Sequence, residues 1–351
     1  MRKAFLLTGG VVIIVFSIFS FLPADPANQM LGQRADSISA GFINHDFALD
    51  QPASIRFLIY INDLMPLSVY NRKVKESPIY LDPAKYKKAF KMFYFGANKA
   101  IVFKPPYLRR SFHSKEDVYE MLKARFNDSG ILVVAAAFLA IIIGVFLGIF
   151  SAINRNSWIG KTISSLSFIG LSLPVFFIGI LAAWIFGFVL HRFTGLNMTG
   201  GLYSIDPFEG EYINWKNLVL PAIVLSLRPM ALIIQQTRKQ FFDVMSQPYI
   251  ITAKAKGVRR SMIIFNHAWL NTTAPLLVHS YKWIGSLLAG LLFIEYIFGW
   301  NGIGKLAVNA IGNSDLPVMM GIVLFVSVTY IIIRTIAELI YSTLDPRIDG
   351  R

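Results

Sequence analysis

The sequence predicts an all-α membrane protein, a six-transmembrane-helix bundle with N and C termini cytoplasmic. Three observations lead there. Of 351 residues, 55% are hydrophobic and only 15% charged, with a mean hydropathy of +0.54; a soluble domain runs nearer about a quarter charged. Six runs are apolar over the about 20 residues that a helix needs to cross a hydrocarbon core of about 30 Å. The short loops between them differ in charge in the way that separates cytoplasmic from external loops.

The first run, Phe5–Leu22, follows Arg2 and Lys3. It resembles a signal peptide, with a basic start and a small-residue stretch "PADPA" after it, but it is long for one and reads as a retained span. The others are Gly130–Ile153, Ile163–Val189 with Pro174 inside it, Leu218–Ile234, Pro275–Phe298 and Pro317–Tyr341. Residues 1–22 thus form the first transmembrane helix, 129–343 a five-helix core and 344–351 a cytoplasmic tail. The loop "NRNSWIGK" carries Arg155 and Lys161 and no acid, and the segment 237–274 carries six basic residues against Asp243 alone. Both are therefore read as cytoplasmic. The loop after the third run holds Asp206, Glu209 and Glu211 and is read as external.

That order places residues 23–128 outside, although they are basic; long translocated segments escape the charge rule. Within them "SIRFLIYINDLM" reads as a helix lying on the membrane surface. "SKEDVYEMLKARF" reads as an amphipathic helix capped by Ser114, with Glu116 and Asp117 in its first turn. A basic, aromatic-rich stretch occupies residues 71–103.

The formal net charge of +14 raises nucleic acid as a partner. In a chain this apolar the excess reads as topology, with the lipid bilayer as partner and no nucleic acid. No cysteine is present, which removes disulfides, thiolate metal sites and a Cys nucleophile. The five histidines show neither H-x-x-x-H nor H-E-x-x-H spacing, so no metal site is expected, and no Ser stands in a G-x-S-x-G elbow. "GWNGIGK", Gly299–Lys305, imitates a phosphate-binding loop, but Leu306 stands where Ser or Thr would hold magnesium. No catalytic residue is assigned, and the chain reads as no enzyme.

Ionisable residues inside spans are costly and mark functional sites by default. Arg228 lies mid-span, Lys282 early in the fifth run and Glu295 near its outer end. These three are the candidate pathway residues, weighed against interhelical pairing or snorkelling. Arg334 and Glu338, four apart, read as a pair along one helix face.

The segment "YIITAKAKGVRRSMIIFNHAWLNTTAP", Tyr249–Pro275, has its own grammar. Ser246 or Gln247 is placed to cap a helix that accepts Pro248 in its first turn. Gly257 is placed to end that helix in a left-handed turn, and a second helix leads back to the membrane. Such a stiff basic projection suits docking to a cytosolic partner; the alternative is a basic loop held against anionic lipid.

At these residues the sequence resembles the bacterial ABC-importer permeases, in the B-type subunit of the dipeptide, oligopeptide and nickel branch. Thr252, Ala253, Lys254, Ala255, Lys256 and Gly257 follow the family's Glu-Ala-Ala…Gly loop, and His267, Asn271 and Pro275 fall at its later positions. Ile251 departs from it, standing where the family has a polar residue. "FLPADPA", "FALDQP", "IGLSLPVFFIGI", "FIEYIFGWNGIGKLAVNAIGNSDLPVMMG" and "YSTLDPRI" resemble further family stretches in the same order. The resemblance implies a type I ABC importer permease, multi-pass in the cytoplasmic (inner) membrane. It implies a second related permease, two cytosolic ABC ATPases carrying ATP and Mg, and an external substrate-binding protein as partners. This chain itself would hold no cofactor. Residues 237–274 become the ATPase-coupling segment, and peptides the expected cargo. Two alternatives stay open: nickel or another small solute as cargo, and a membrane-anchored interaction module using the basic external region. A channel or secondary transporter finds no inverted repeat to support it.

Overall fold

The computed structural model describes residues 2–21, 51–71, 79–81, 85–86, 90–95, 98–206, 208, 210–269, 271–272 and 280–344. Most of "FLPADPA" and "FALDQP" and half of "YSTLDPRI" fall outside the described residues, as do His45, Pro275 and His279.

Apolar runs become helices because the backbone can satisfy its own polar groups there. In chain order the elements begin with α1 (Arg2–Phe21) and α2 (Ala53–Leu64). Three short strands follow: β1 (Leu67–Asn71), β2 (Phe90–Phe95) and β3 (Lys99–Phe103). They pair antiparallel in the order β1-β3-β2, with Leu67 opposite Phe103 and Tyr70 opposite Ala100. Here the all-α expectation is corrected. "LSVYN" and "KAIVF" alternate exposed and buried positions, and their β-branched and aromatic residues suit a pleated surface.

α3 (Val118–Ile153) runs 36 residues without interruption. The separate amphipathic helix expected before the second span is therefore the first turns of that span. Ser114, Glu116 and Asp117 all precede it, so Ser114 is not its cap. Ser114 Oγ instead accepts from the Glu116 N–H at 3.4 Å, and Asp117 pairs with Arg110 at 3.2 Å.

α4 (Trp158–Ser172) has Ser157 as its cap, accepting from the Gly160 N–H at 3.2 Å. α5 (Val175–Ala182) continues in π-helical turns over Ala183–Val189. Leu173 and Pro174 separate α4 from α5, and the two axes differ by 104°. Proline has no N–H to give and disfavours a helical residue before it, which is why the break falls there.

A hairpin of β4 (Tyr203–Asp206) and β5 (Gly210–Ile213) precedes α6 (Lys216–Met245), which contains Pro221 and Pro229. Then come α7 (Pro248–Ala255), α8 (Arg260–Met262, continued by π-helical Ile263–Ala268), α9 (Ser280–Ile297), α10 (Ile303–Gly312) and α11 (Leu316–Leu344).

Among the described residues every apolar run read from the sequence is largely helical, the third being broken at Leu173–Pro174. Val118–Ile153, Lys216–Met245 and Leu316–Ile340 are long and apolar enough to cross a bilayer as continuous helices, and the bent α4–α5 pair qualifies jointly. Leu6–Ile18 and Trp283–Ile297 are shorter apolar helices.

The chain divides into two compact units. One comprises Arg125–Val308 with the residues from Thr329 on. Its core gathers Leu132, Val175, Leu225, Leu287, Ile294 and Trp300. In it α3 meets α6 at bare backbone: a Cβ on Gly144 would lie 2.9 Å from Ile233 Cγ2, and one on Gly148 2.6 Å from Thr237 Cβ. Small residues four apart permit this close approach.

The other unit comprises Arg2–Ala124 with Asn309–Val328. Tyr70, Tyr86, Ala100, Val102 and Tyr107 pack around its sheet. The helix α2 buries Ile59, Tyr60 and Asp63 within this unit. The Asp63 carboxylate accepts from the Tyr86 hydroxyl at 2.6 Å and the Tyr70 hydroxyl at 3.2 Å. Lys104, only 2% exposed, donates to the Asp63 carbonyl at 2.5 Å. Burial pulls its ammonium down to about 8, against the opposing pull of Asp63. Asp315 organises the other end of the unit, accepting from the Ser111 hydroxyl at 2.5 Å and from the Phe112 and His113 N–H groups.

Candidate functional site

The Tyr249–Pro275 segment folds as α7, a glycine turn and α8. Pro248 takes the first helical position, where its missing N–H costs nothing. Neither predicted cap makes the bond: Gln247 holds the N-cap position without a side-chain bond, and Ser246 donates backward to the Asp243 carbonyl at 2.8 Å. Pro248 already removes one of the helix's orphan donors, so the cap has less to satisfy.

The end of α7 follows a Schellman pattern. The Val258 N–H donates to the Ala253 carbonyl at 3.2 Å and the Gly257 N–H to the Lys254 carbonyl at 3.0 Å. Gly257 sits at φ +74°, a conformation nearly reserved for glycine. The two arms are also tied by Asn271, whose Nδ2 donates to the Tyr249 hydroxyl at 3.0 Å and the His267 carbonyl at 2.8 Å.

Buried Ile250, Ile263 and Ala268 anchor the hairpin; Ala268 packs with Ala152, Phe241 and Val244. Its outer face shows Thr252, Lys254, Ala255, Lys256 and Gly257, with Ala253 and His267 partly covered. Ile251, Met262 and Phe265 stand out among them, at 58%, 51% and 69% exposed. The coupling residues assigned from the sequence thus share one hairpin, which also exposes apolar side chains among its basic ones.

The pathway candidates are not brought together. Arg228 lies near the midpoint of α6 and lines a cleft of about 720 Å³ between α4, α5, α6 and α9. Among the described residues it is the one charged side chain lining the cleft. Lys282 falls in the first turn of α9, and its side chain is outside the described residues. Glu295 is fully buried and does not line the cleft. It accepts from the Ser129 hydroxyl and the Gly304 N–H, each at 2.6 Å, and from the Lys305 N–H at 3.3 Å. Its carboxylate holds the start of α10 in place. Arg334 and Glu338 pair along α11 at 2.9 Å, as their spacing implies.

Sequence reasoning missed two parts of the cleft. The break at Leu173–Pro174 is signalled by the proline, read there only as a tolerated interruption. Ser286 lines the same cleft with its hydroxyl buried and without a hydrogen-bond partner among the described residues. No pattern in the sequence marks it.

Helical spans, a glycine-pinned basic hairpin and a bundle cleft lined by Arg228 describe a membrane transport subunit. The family model described as "Binding-protein-dependent transport system inner membrane component" matches residues 144–350, and the chain belongs to that family. It is 29% identical over 353 residues to the dipeptide transport system permease protein DppB of Alkalihalophilus pseudofirmus, covering 97% of this chain and 94% of that one. It is 28% identical over 338 residues to the glutathione transport system permease protein GsiC of Pectobacterium atrosepticum, covering 96% and 93%.

Proposed function

We propose that this chain forms half of the translocation pathway of an ATP-driven peptide importer in the cytoplasmic membrane, with six spans and both termini inside. The carrying observation is the α7–Gly257–α8 hairpin, which pairs the family's residue pattern with a rigid turn and exposed apolar side chains. An element of this kind is built to sit in a groove on a soluble partner. The partners are a second related permease, two cytosolic ATPases that hold ATP and Mg, and an external binding protein that delivers cargo. Hydrolysis stays on the ATPases; this chain turns their closure into alternating access. Peptide cargo follows from relatives named for dipeptide and glutathione transport over nearly the whole length.

Within this reading Thr252–Gly257, His267 and Asn271 carry the coupling, and Arg228 faces the route. Lys282 keeps its place as a second pathway candidate, while Glu295 is committed to the start of α10. Co-purification followed by uptake is the test. The tagged chain, expressed with its neighbouring genes, is expected to bring down two ATPases and a sister permease. The complex with its binding protein, in liposomes, is expected to take up peptides only with ATP. A chain that purifies alone, or a complex that imports nickel and no peptide, defeats the peptide reading.

A further inference from the structure

Arg228 has no hydrogen bond or ion pair among the described residues, although it stands near the middle of an apolar helix. An unpaired cation at that depth is expensive and needs a partner that arrives from elsewhere. Three further facts say what kind. The cleft walls are apolar, from Leu171, Phe176, Leu232, Ala289 and Phe293, so a charge–charge contact there is weakly screened. The break at Leu173–Pro174 brings the N-terminus of α5 to the cleft rim, with Pro174 and Val175 lining it. No side chain caps that terminus, and its first N–H groups have no intrahelical acceptor. Ser286 adds a buried hydroxyl with no partner.

A guanidinium, open backbone N–H groups at the positive end of a helix and a spare hydroxyl are all donors to one chemistry. We propose that this cleft is a carboxylate-recognition station within the bundle. Arg228 takes the carboxylate in a two-pronged contact, the α5 N-terminus supports its charge, and Ser286 donates to it. Arg228 is suited to this because its planar fork matches a carboxylate. The apolar walls leave the rest of the solute loosely read, as a transporter of varied peptides requires. The inference rests on the peptide reading above and adds the group that is recognised: the free C-terminal carboxylate.

The experiment uses the full importer in nanodiscs without its binding protein, so that discrimination belongs to the membrane subunits. Binding of the dipeptide Ala-Phe is compared with that of its C-terminal amide. The amide is expected to bind about tenfold more weakly, the scale of a lost charge-assisted contact. Arg228→Gln is expected to remove the difference by weakening the acid alone, and Arg228→Lys to keep part of it. Ser286→Ala is expected to lower acid binding about threefold, one neutral hydrogen bond. Equal binding of acid and amide by the unaltered complex overturns the station, and needs no variant to fold. ATP-driven uptake of both, measured in parallel with the binding protein, then shows that the peptide reading survives. Absence of uptake for either peptide defeats that reading instead.

Discussion

Glu295 accepts a hydrogen bond from the Gly304 N–H at 2.6 Å, nine residues along the chain. The contact explains the stretch that imitates a phosphate-binding loop. A Cβ on Gly302 would lie 2.2 Å from Glu295 Oε1, and one on Gly304 2.6 Å from the Leu292 Cα. Gly302 admits the carboxylate to the start of α10, where helix N–H groups favour an anion, and Gly304 lets that start lie against the α9 backbone. The anion is supplied by the chain itself.

Glu295→Ala is therefore expected to leave the Ser129 O–H donor and the Gly304 N–H buried without an acceptor. Each orphaned group costs about 1–3 kcal/mol. Glu295→Asp, too short to reach, is expected to behave similarly. Thermal unfolding of the purified complex, followed by tryptophan fluorescence, checks this. An unchanged midpoint for Glu295→Ala would mean that the carboxylate does not hold the turn.

Gly257→Ala meets no steric neighbour, since nothing lies within 4 Å of the added carbon. Its cost is backbone strain alone, about 1–2 kcal/mol for a left-handed residue. The hairpin is expected to relax out of its Schellman turn and hold less ATPase on co-purification. Gly257→Asn, more tolerant of that conformation, is expected to recover part of the yield. Equal ATPase recovery from all three chains would separate the turn from coupling.

Lys104 gives the sheet-bearing unit an alkaline signature. Its ammonium is at about 8 when folded, against the ordinary 10.5. Below pH 8 both states hold the proton and the folded chain bears the full cost of burying it. Between pH 8 and about 10 the unfolded chain binds more protons, so stability rises with pH. Higher still, Tyr70 and Tyr86 resist ionisation, raised by burial first and by Asp63 second. The unfolded tyrosines then lose protons, and stability falls. Melting temperatures across pH 7–11 are expected to peak near pH 10, and Lys104→Met to remove the rise while leaving the fall.

Gly148 and Gly130 offer a matched pair on α3. A Cβ on Gly148 would lie 2.6 Å from Thr237 Cβ, whereas Gly130 has nothing within 4 Å. Gly148→Val is expected to abolish a monodisperse complex on size exclusion, overpacking costing about 1–3 kcal/mol or more. Gly130→Val is expected to run as the unaltered protein does.

The helical bundle was legible because a bilayer demands long apolar runs, and Gly257 because only a few residues accept its backbone angles. The small sheet was hidden by "NRKVK" and its neighbours, whose charge masks the period-two alternation in "LSVYN" and "KAIVF". Ser114 looked like a helix cap because capping is a local pattern; the bonds that Asp315 makes with Ser111, Phe112 and His113 come from some two hundred residues away. The same limit applies to the cleft. Arg228 was visible as a misplaced charge, but Ser286 matters only through what surrounds it, and adjacency across helices is not written in spacing. Glu295 was visible as an ionisable residue in a span, and only its partners reveal that it is committed to a turn.

The bare-backbone contact of α3 with α6 at Gly144 and Gly148 has a mechanical meaning. Two helices touching through side chains slip past each other by small rotamer adjustments, as in shear motion. Where glycine lies against the opposing wall, little is left to adjust, and the pair moves as one plank. In the alternating access proposed above, rocking would then need a joint elsewhere. The break at Leu173–Pro174, where the backbone has already surrendered its ladder beside the cleft lined by Arg228, offers one.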